Sequence, residues 1–413
     1  MIKGVWPGRI ERLLWIGVVF PLLTGCWDRL EIEERAVVLA IGIDEVENGS
    51  EVEVPQITNE SDIFAPPNNQ LVRVTVQIAV PGGIPLGPGE GGGGSSGVGG
   101  GQRSIWVVDA VGNTIEGALN NLQERIAPPL FYGHLRIIIV SEAVARKGID
   151  NLNDYFRRNP EVRRMNWMFV CKGKAIDLMK TSPQLERVPP LYLVSMMDQA
   201  VKMGRFPNDF LGLFWSASSA LGKEGFLPYL SLKPQGTMEI DGMAFFVKDK
   251  MVGLTKPIEI PMYMGIMGMS PAGGQVYVQV PEMHNFVLFG GRARKSIIKS
   301  SIRDGEPHIS IHTGIEGVIL EKFSEGMPLD DRTIHLIERK LEHDALEGYR
   351  ELIRKTQEKG SDIFGFGEII RAKQWRYWNR HIGTEEAWRE KYKTLDVDIN
   401  VHIYIRRIGM KSR

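Results

Sequence analysis

The sequence predicts an α+β protein of three domains, made of mixed, largely antiparallel sheets flanked by helices, behind a cleaved lipoprotein signal peptide. Three observations predict it. Apolar runs at Ala36–Asp44, Leu71–Val80, Leu135–Val140 and Leu395–Ile405 are continuous or alternate with polar residues, as strands require. Between them, apolar residues recur at spacings of three and four, the period of a helix with one buried face. The 413 residues also exceed what one core normally fills, since single cores stop growing near roughly 250 residues. The expected division is 1–25 for the signal peptide, then 26–199, 200–289 and 290–413.

The N-terminus sets the compartment. Lys3, Arg9 and Arg12 precede an uncharged apolar run of 11 residues, Leu13–Leu23. That suits the core of a signal peptide and is too short to cross a bilayer, which takes roughly 20 residues. Leu23-Thr24-Gly25-Cys26 follows: a large apolar residue, two small ones and a cysteine, the lipobox pattern. Small residues let the peptidase take the backbone extended, and the cysteine thiol receives the diacylglyceryl group. Cys26 is the expected lipid attachment site, which would hold the mature chain on the outer face of a membrane. Cys26 and Cys171 are the only cysteines, so a lipidated Cys26 leaves no disulfide within the chain.

The mature chain reads in order as follows. Ala36–Asp44 and Leu71–Val80 are strands, separated by a polar, proline-containing stretch over 45–69. The tract 87–101 is a flexible glycine-rich loop; no Gly-Lys-Ser/Thr follows it, so it is not a phosphate cradle. Ile115, Ala118, Leu119 and Leu122 mark a helix. Leu135–Val140 and Met168–Cys171 are strands, with Cys171 inside as an inert small hydrophobe. Ile149–Phe156 and Lys174–Lys180 are short helices, and 206–225 has no clear period and reads as a connector. Residues 237–254 form a hairpin turning at Lys248-Asp249-Lys250. Met262, Met264, Met267 and Met269 suit the filling of core gaps. A helix carries Ile334, Ile337, Leu341, Ala345, Tyr349 and Leu352 on one stripe, with Asp330 or Asp331 to cap it and Gly360 to end it. A second helix is expected over 362–378. In the closing strand Leu395, Val397, Ile399, Val401, Ile403 and Ile405 face one way, and Asp396, Asp398, Asn400, His402 and Tyr404 the other.

No motif points to catalysis. His308 and His312 lie about 13 Å apart on an extended strand, beyond the reach of one ion. Ser296 and Lys299 fit Ser-x-x-Lys, but the companion Lys-Thr-Gly is missing. Arg371, Lys373, Arg376 and Arg380 interleave with Trp375, Tyr377 and Trp378; a packed helix with solvated cations is favoured there over contact with a membrane surface. Lys plus Arg total 50 and Asp plus Glu total 50, so no net field draws nucleic acid. The expected catalytic, cofactor-binding and metal residues are none.

Several longer runs are more specific. They are GCWDRLEIEERAVVLAIGID from Gly25, GNTIEGALNNLQ from Gly112, FYGHLRIIIVSEAVARKGI from Phe131, FRRNPEVRRMNWMFV from Phe156, IDGMAFFVKDKMVGL from Ile240 and DIFGFGEIIRAKQW from Asp362, with Arg406-Arg407-Ile408-Gly409 at the close. In order and over most of the mature chain, they resemble the Ger(x)C (GerAC-like) family of spore germination lipoproteins. The resemblance implies a non-enzymatic C subunit of a nutrient germinant receptor, lipid-anchored on the outer face of the spore inner membrane. It also implies three domains, no cofactor, and integral-membrane A and permease-like B subunits as partners. The 45–69 and glycine-rich segments look longer than the family pattern. The rival readings are a solute-binding lipoprotein, against which the lack of repeated βαβ units counts, and a cell-envelope hydrolase, which would need an acid/base or metal constellation.

Overall fold

The computed structural model describes residues 31–46, 71–80, 104–181, 188–234, 236–280, 285–324 and 327–406. The expected signal peptide, Cys26 and the glycine-rich tract lie outside them.

The first half of the chain runs β1 (Ala36–Glu45), β2 (Val72–Ala79), β3 (Ile105–Gly112), α1 (Ile115–Gln123), β4 (Leu130–Phe131), β5 (Ile137–Ser141), α2 (Glu142–Lys147), α3 (Asp150–Arg158), β6 (Trp167–Cys171), α4 (Ala175–Lys180), α5 (Pro189–Lys202), α6 (Leu211–Ser218), β7 (Phe226–Leu232), β8 (Met238–Val247) and β9 (Lys250–Leu254). These strands form one nine-stranded sheet in the order β3-β2-β1-β5-β6-β7-β8-β9, with β4 beside β1. Its ends are antiparallel, but its centre, β1-β5-β6-β7, is parallel. Helical crossovers therefore join β5 to β6 and β6 to β7, where the sequence suggested no repeated βαβ unit. Strands buried on both faces read as unbroken apolar runs, such as Ile137-Ile138-Ile139-Val140, and lose the alternation that identifies a sheet. Helix α6 occupies the expected connector; Leu211, Phe214, Trp215 and Ala217 are buried, and without a polar face it shows no period.

After α7 (Glu259–Ile266) come β10 (Gln275–Val280), β11 (Asn285–Arg303), β12 (Glu306–Lys322), α8 (Asp331–Lys359), α9 (Phe366–Lys373), α10 (Trp375–Tyr377), a π-helical turn at Trp378–Ile382, α11 (Glu385–Lys393) and β13 (Asp396–Ile405). The second sheet has the order β10-β11-β12-β13. β11 and β12 are a long hairpin turning at Asp304 (φ 50°) and Gly305 (φ 83°), with Arg303 opposite Glu306. Asp-Gly between alternating strands favours this two-residue turn because both positions need positive φ. β13 lies parallel to β12. The helix expected over 362–378 is shorter and broken: the Asp362 carboxylate accepts from the Gly365 and Gly367 amides at the start of α9, and regular helix ends at Gln374.

The expected division after Gln199 falls inside α5, and the first sheet continues on both sides of it through the β6–β7 pairing. The division after Phe289 falls inside β11. One buried cluster joins the inner face of the first sheet (Ile137, Trp167, Phe169) to α7, α8 and the second sheet (Ile309, Ile311, Ile403). A second cluster fills the opposite face of the first sheet with α1, α3 and α6.

Three carboxylates tie distant elements together. Asp44 at the end of β1 is buried, and its two oxygens accept the Ala175 and Ile176 amides at 2.6 and 2.9 Å, capping α4 from 131 residues away. Burial raises its pKa above the ordinary carboxylate value. Asp44→Ala leaves two inward amides unpaired, and a loss of about 1–3 kcal/mol in urea unfolding is the expected result. Along the far side, Glu338 and Glu342 of α8 reach the free edge of β13 and accept the Ile405 and Ile403 amides at 2.9 and 3.0 Å.

Candidate functional site

The described chain starts at Glu31 and enters β1 through a 3₁₀ turn at Ile32–Glu34. β1 is paired on both sides, so the described chain enters the first sheet in its interior and not at its edge. Cys171 is fully buried in β6, and burial pushes its thiol far above the ordinary range, which makes it inert as expected.

The histidine pair separates as predicted, with His308 buried and His312 exposed on β12. The sequence did not suggest what gathers at His308. Its Nε2 lies 2.9 Å from Asp398 and 3.6 Å from Asp396, both on β13, and 2.9 Å from the Arg303 guanidinium, which itself pairs with Asp398. The hydrogen bond from Arg303 holds the Asp398 carboxyl below its ordinary pKa. A ligating histidine normally passes its other ring proton to a partner. Here Nδ1 is buried with no hydrogen-bond partner among the described residues, and Arg303 fills the place of a cation. The group is a latch between the hairpin end and the closing strand. Ser296 and Lys299 lie on β11, three residues apart on a strand, so they point to opposite faces; Ser296 Oγ contacts Thr313 Oγ1 at 3.1 Å. The methionines fill core gaps: Met264 is buried, Met262 lies against Gly348, and Met267 and Met269 pack partly on the core.

The largest surprise is Arg294. It is buried on β11 with no carboxylate partner among the described residues. Its guanidinium donates to backbone carbonyls: to Met269, to Pro261 at 3.3 Å, to Gly204 at 2.9 Å and to Pro271 at 3.1 Å. Burial lowers its pKa to about 10. Gly204 (φ 66°) belongs here, because a Cβ would stand 1.9 Å from the Pro271 oxygen. This clasp fastens the turn after α5 and the segment after α7 to the second sheet. Carbonyl acceptors have no residue identity, so no sequence pattern announces it.

The basic aromatic segment splits. Trp378 and Ile382 are buried, Trp378 against Trp388 with ring centres 5.7 Å apart, while Trp375 is 57% exposed with the Arg376 guanidinium 5.3 Å from its ring centre. Tyr377 is half-buried and stacks on His381.

Residues 28–232 match the family model described as spore germination protein N-terminal domain, and residues 241–409 match the one described as spore germination B3/GerAC like, C-terminal. The chain belongs to the GerAC-like family of spore germination proteins. Among relatives in Bacillus subtilis strain 168, the putative spore germination protein YfkR is 25% identical, covering 94% of each chain. Spore germination protein KC is 23% identical, covering 95% of this chain and 94% of its own. The crystal structure of the GerBC protein superposes with a TM-score of 0.55 at 17% identity, covering 90% of this chain and 99% of that one, so the α+β fold is shared. As a family member this chain has a role in spore germination. The N-terminal match ends at Leu232, the last residue of β7, and the C-terminal match begins at Asp241 within β8. β7 and β8 pair antiparallel, so the two family halves build one sheet between them.

Proposed function

We propose that this chain is the non-enzymatic, lipid-anchored C subunit of a spore nutrient germinant receptor. It is held through Cys26 on the outer face of the spore inner membrane, beside integral-membrane A and B subunits. The observation that supports this best is the family match over both halves of the chain, joined to the lipobox at Leu23–Cys26. Among the described residues no helix is long and apolar enough to cross a membrane, and lipid on Cys26 supplies the attachment. Two or more acyl chains anchor stably where one does not. Confinement in a thin layer raises the effective concentration toward embedded partners to about millimolar, so modest interfaces suffice.

The test is deletion of the gene together with its paralogues, followed by dipicolinate release. Nutrient should release none, while calcium dipicolinate, which bypasses receptors, should still work. A normal nutrient response overturns the assignment; loss of the bypass response points instead to an envelope or cortex role. Cys26→Ala should abolish fatty-acid labelling and the nutrient response together, and labelled lipid on that variant would refute the anchor.

A further inference from the structure

We infer that the segment Arg371–His381 is a second membrane contact: a preformed cationic face that rests on anionic lipid headgroups and sets the orientation of the anchored protein. The inference builds on the lipid-anchored reading above. The segment RAKQWRYWNRH holds Arg371, Lys373, Arg376 and Arg380 and no carboxylate, in a chain whose charges balance overall at 50 and 50. All four cations are exposed. Arg371 pairs with Glu368 at 2.7 Å. Lys373, Arg376 and Arg380 make no ion pair with a carboxylate among the described residues. Surface cations nearby in the fold are matched, as in Lys391–Glu306 and Lys393–Glu390. Glu306, the acid that Tyr377 faces, is thus already held by Lys391.

The local backbone makes the face rigid. Ile370, Trp378 and Ile382 turn inward. Helix α9 breaks at Gln374, whose side-chain amide donates to the Ser300 carbonyl at 3.1 Å and fixes the segment to β11. The break and the π turn leave Trp375 outward among the cations. A pinned surface loses little entropy when it docks. An exposed Trp beside Arg and Lys fits the headgroup layer, where the indole sits between apolar and wet zones and the guanidinium meets phosphate in a fork. Each cation near an anionic surface multiplies partitioning by about five, so the three unpaired ones together give about a hundredfold. That cannot retain a free protein as two acyl chains do, but it biases the orientation of one already tethered.

The test uses the processed chain purified from membranes, with an environment-sensitive fluorophore on Asn379→Cys. Asn379 is exposed and uncharged, and Cys171 is buried and will not compete. The protein is reconstituted in vesicles of phosphatidylcholine alone, or of phosphatidylcholine and phosphatidylglycerol in equal parts. A blue shift on the mixed vesicles only, reversed by salt, is the expected result. The Lys373→Gln/Arg376→Gln/Arg380→Gln variant should lower that contact about a hundredfold with unchanged melting, and Arg376→Lys/Arg380→Lys should keep it. Equal emission on both vesicles, or no effect of the triple variant, overturns the inference. So does a triple variant that loses an integral-membrane partner while the fluorophore never senses lipid, since the face is then a protein interface. Flotation separates the two readings. A chain that fails to float on neutral vesicles refutes the lipid anchor, and the cationic face is then judged by whether flotation appears on anionic vesicles alone.

Discussion

Arg294→Met is expected to destabilise the folded chain by about 1–3 kcal/mol for each buried carbonyl that it leaves without a donor. Methionine keeps an apolar stem of similar length, so little packing is lost. What goes is the fork that serves the carbonyls of Met269, Pro261, Gly204 and Pro271. Among the described residues the Met269 and Pro271 oxygens would lose their donor, while that of Gly204 keeps the Gly273 amide at 3.3 Å. Arg294→Lys should recover only part of the loss, because one ammonium cannot span acceptors that three guanidinium nitrogens reach. Urea unfolding followed by tryptophan fluorescence measures both. A midpoint unchanged by Met would show that the clasp contributes nothing.

Val401→Asp should be nearly as damaging. Val401 is 8% exposed and packs in the cluster that joins both sheets. A carboxylate there is buried without a partner, at a cost of about 3 kcal/mol or more. Asn400→Asp, one residue away on the exposed face, should stay within about 0.5 kcal/mol. Equal melting of the two variants would contradict the alternation of β13. That alternation is complete in direction and partial in depth: Val401 and Ile403 are buried, whereas Val397, Ile399 and Ile405 are half-buried.

What was legible in the sequence follows from how local the signal is. α8 was readable because one stripe of apolar residues carries it, Asp330 accepts the Thr333 amide at 2.8 Å, and Gly360 takes φ 67° at its end. The hairpin at Lys248-Asp249 was readable for the same reason, with Lys248 at φ 55°. Of the long β11–β12 hairpin only the strand around His308 was read from the sequence, although Asp304-Gly305 marks its turn. The parallel centre and α6 were hidden because burial on all sides removes the alternation that periodicity needs. The latch at His308 was hidden because its acid partner Asp398 comes from 90 residues away, on a strand whose parallel placement the pattern does not state. The candidate anchor, Cys26, was wholly a matter of local motif.

The carboxylates that cap β13 have a consequence for crowding. A lipid-anchored protein shares a two-dimensional layer with its own copies, and like edges then meet far more often than in dilute solution. An uncovered strand edge offers a row of amides and carbonyls on which a second copy can template. At Ile403 and Ile405 those amides are already taken by Glu342 and Glu338. A neighbouring strand would have to displace two carboxylates and bring its own carbonyls against them. The helix that packs the second sheet thus also ends it, which would keep copies of the chain separate if the proposed anchor held them at close quarters.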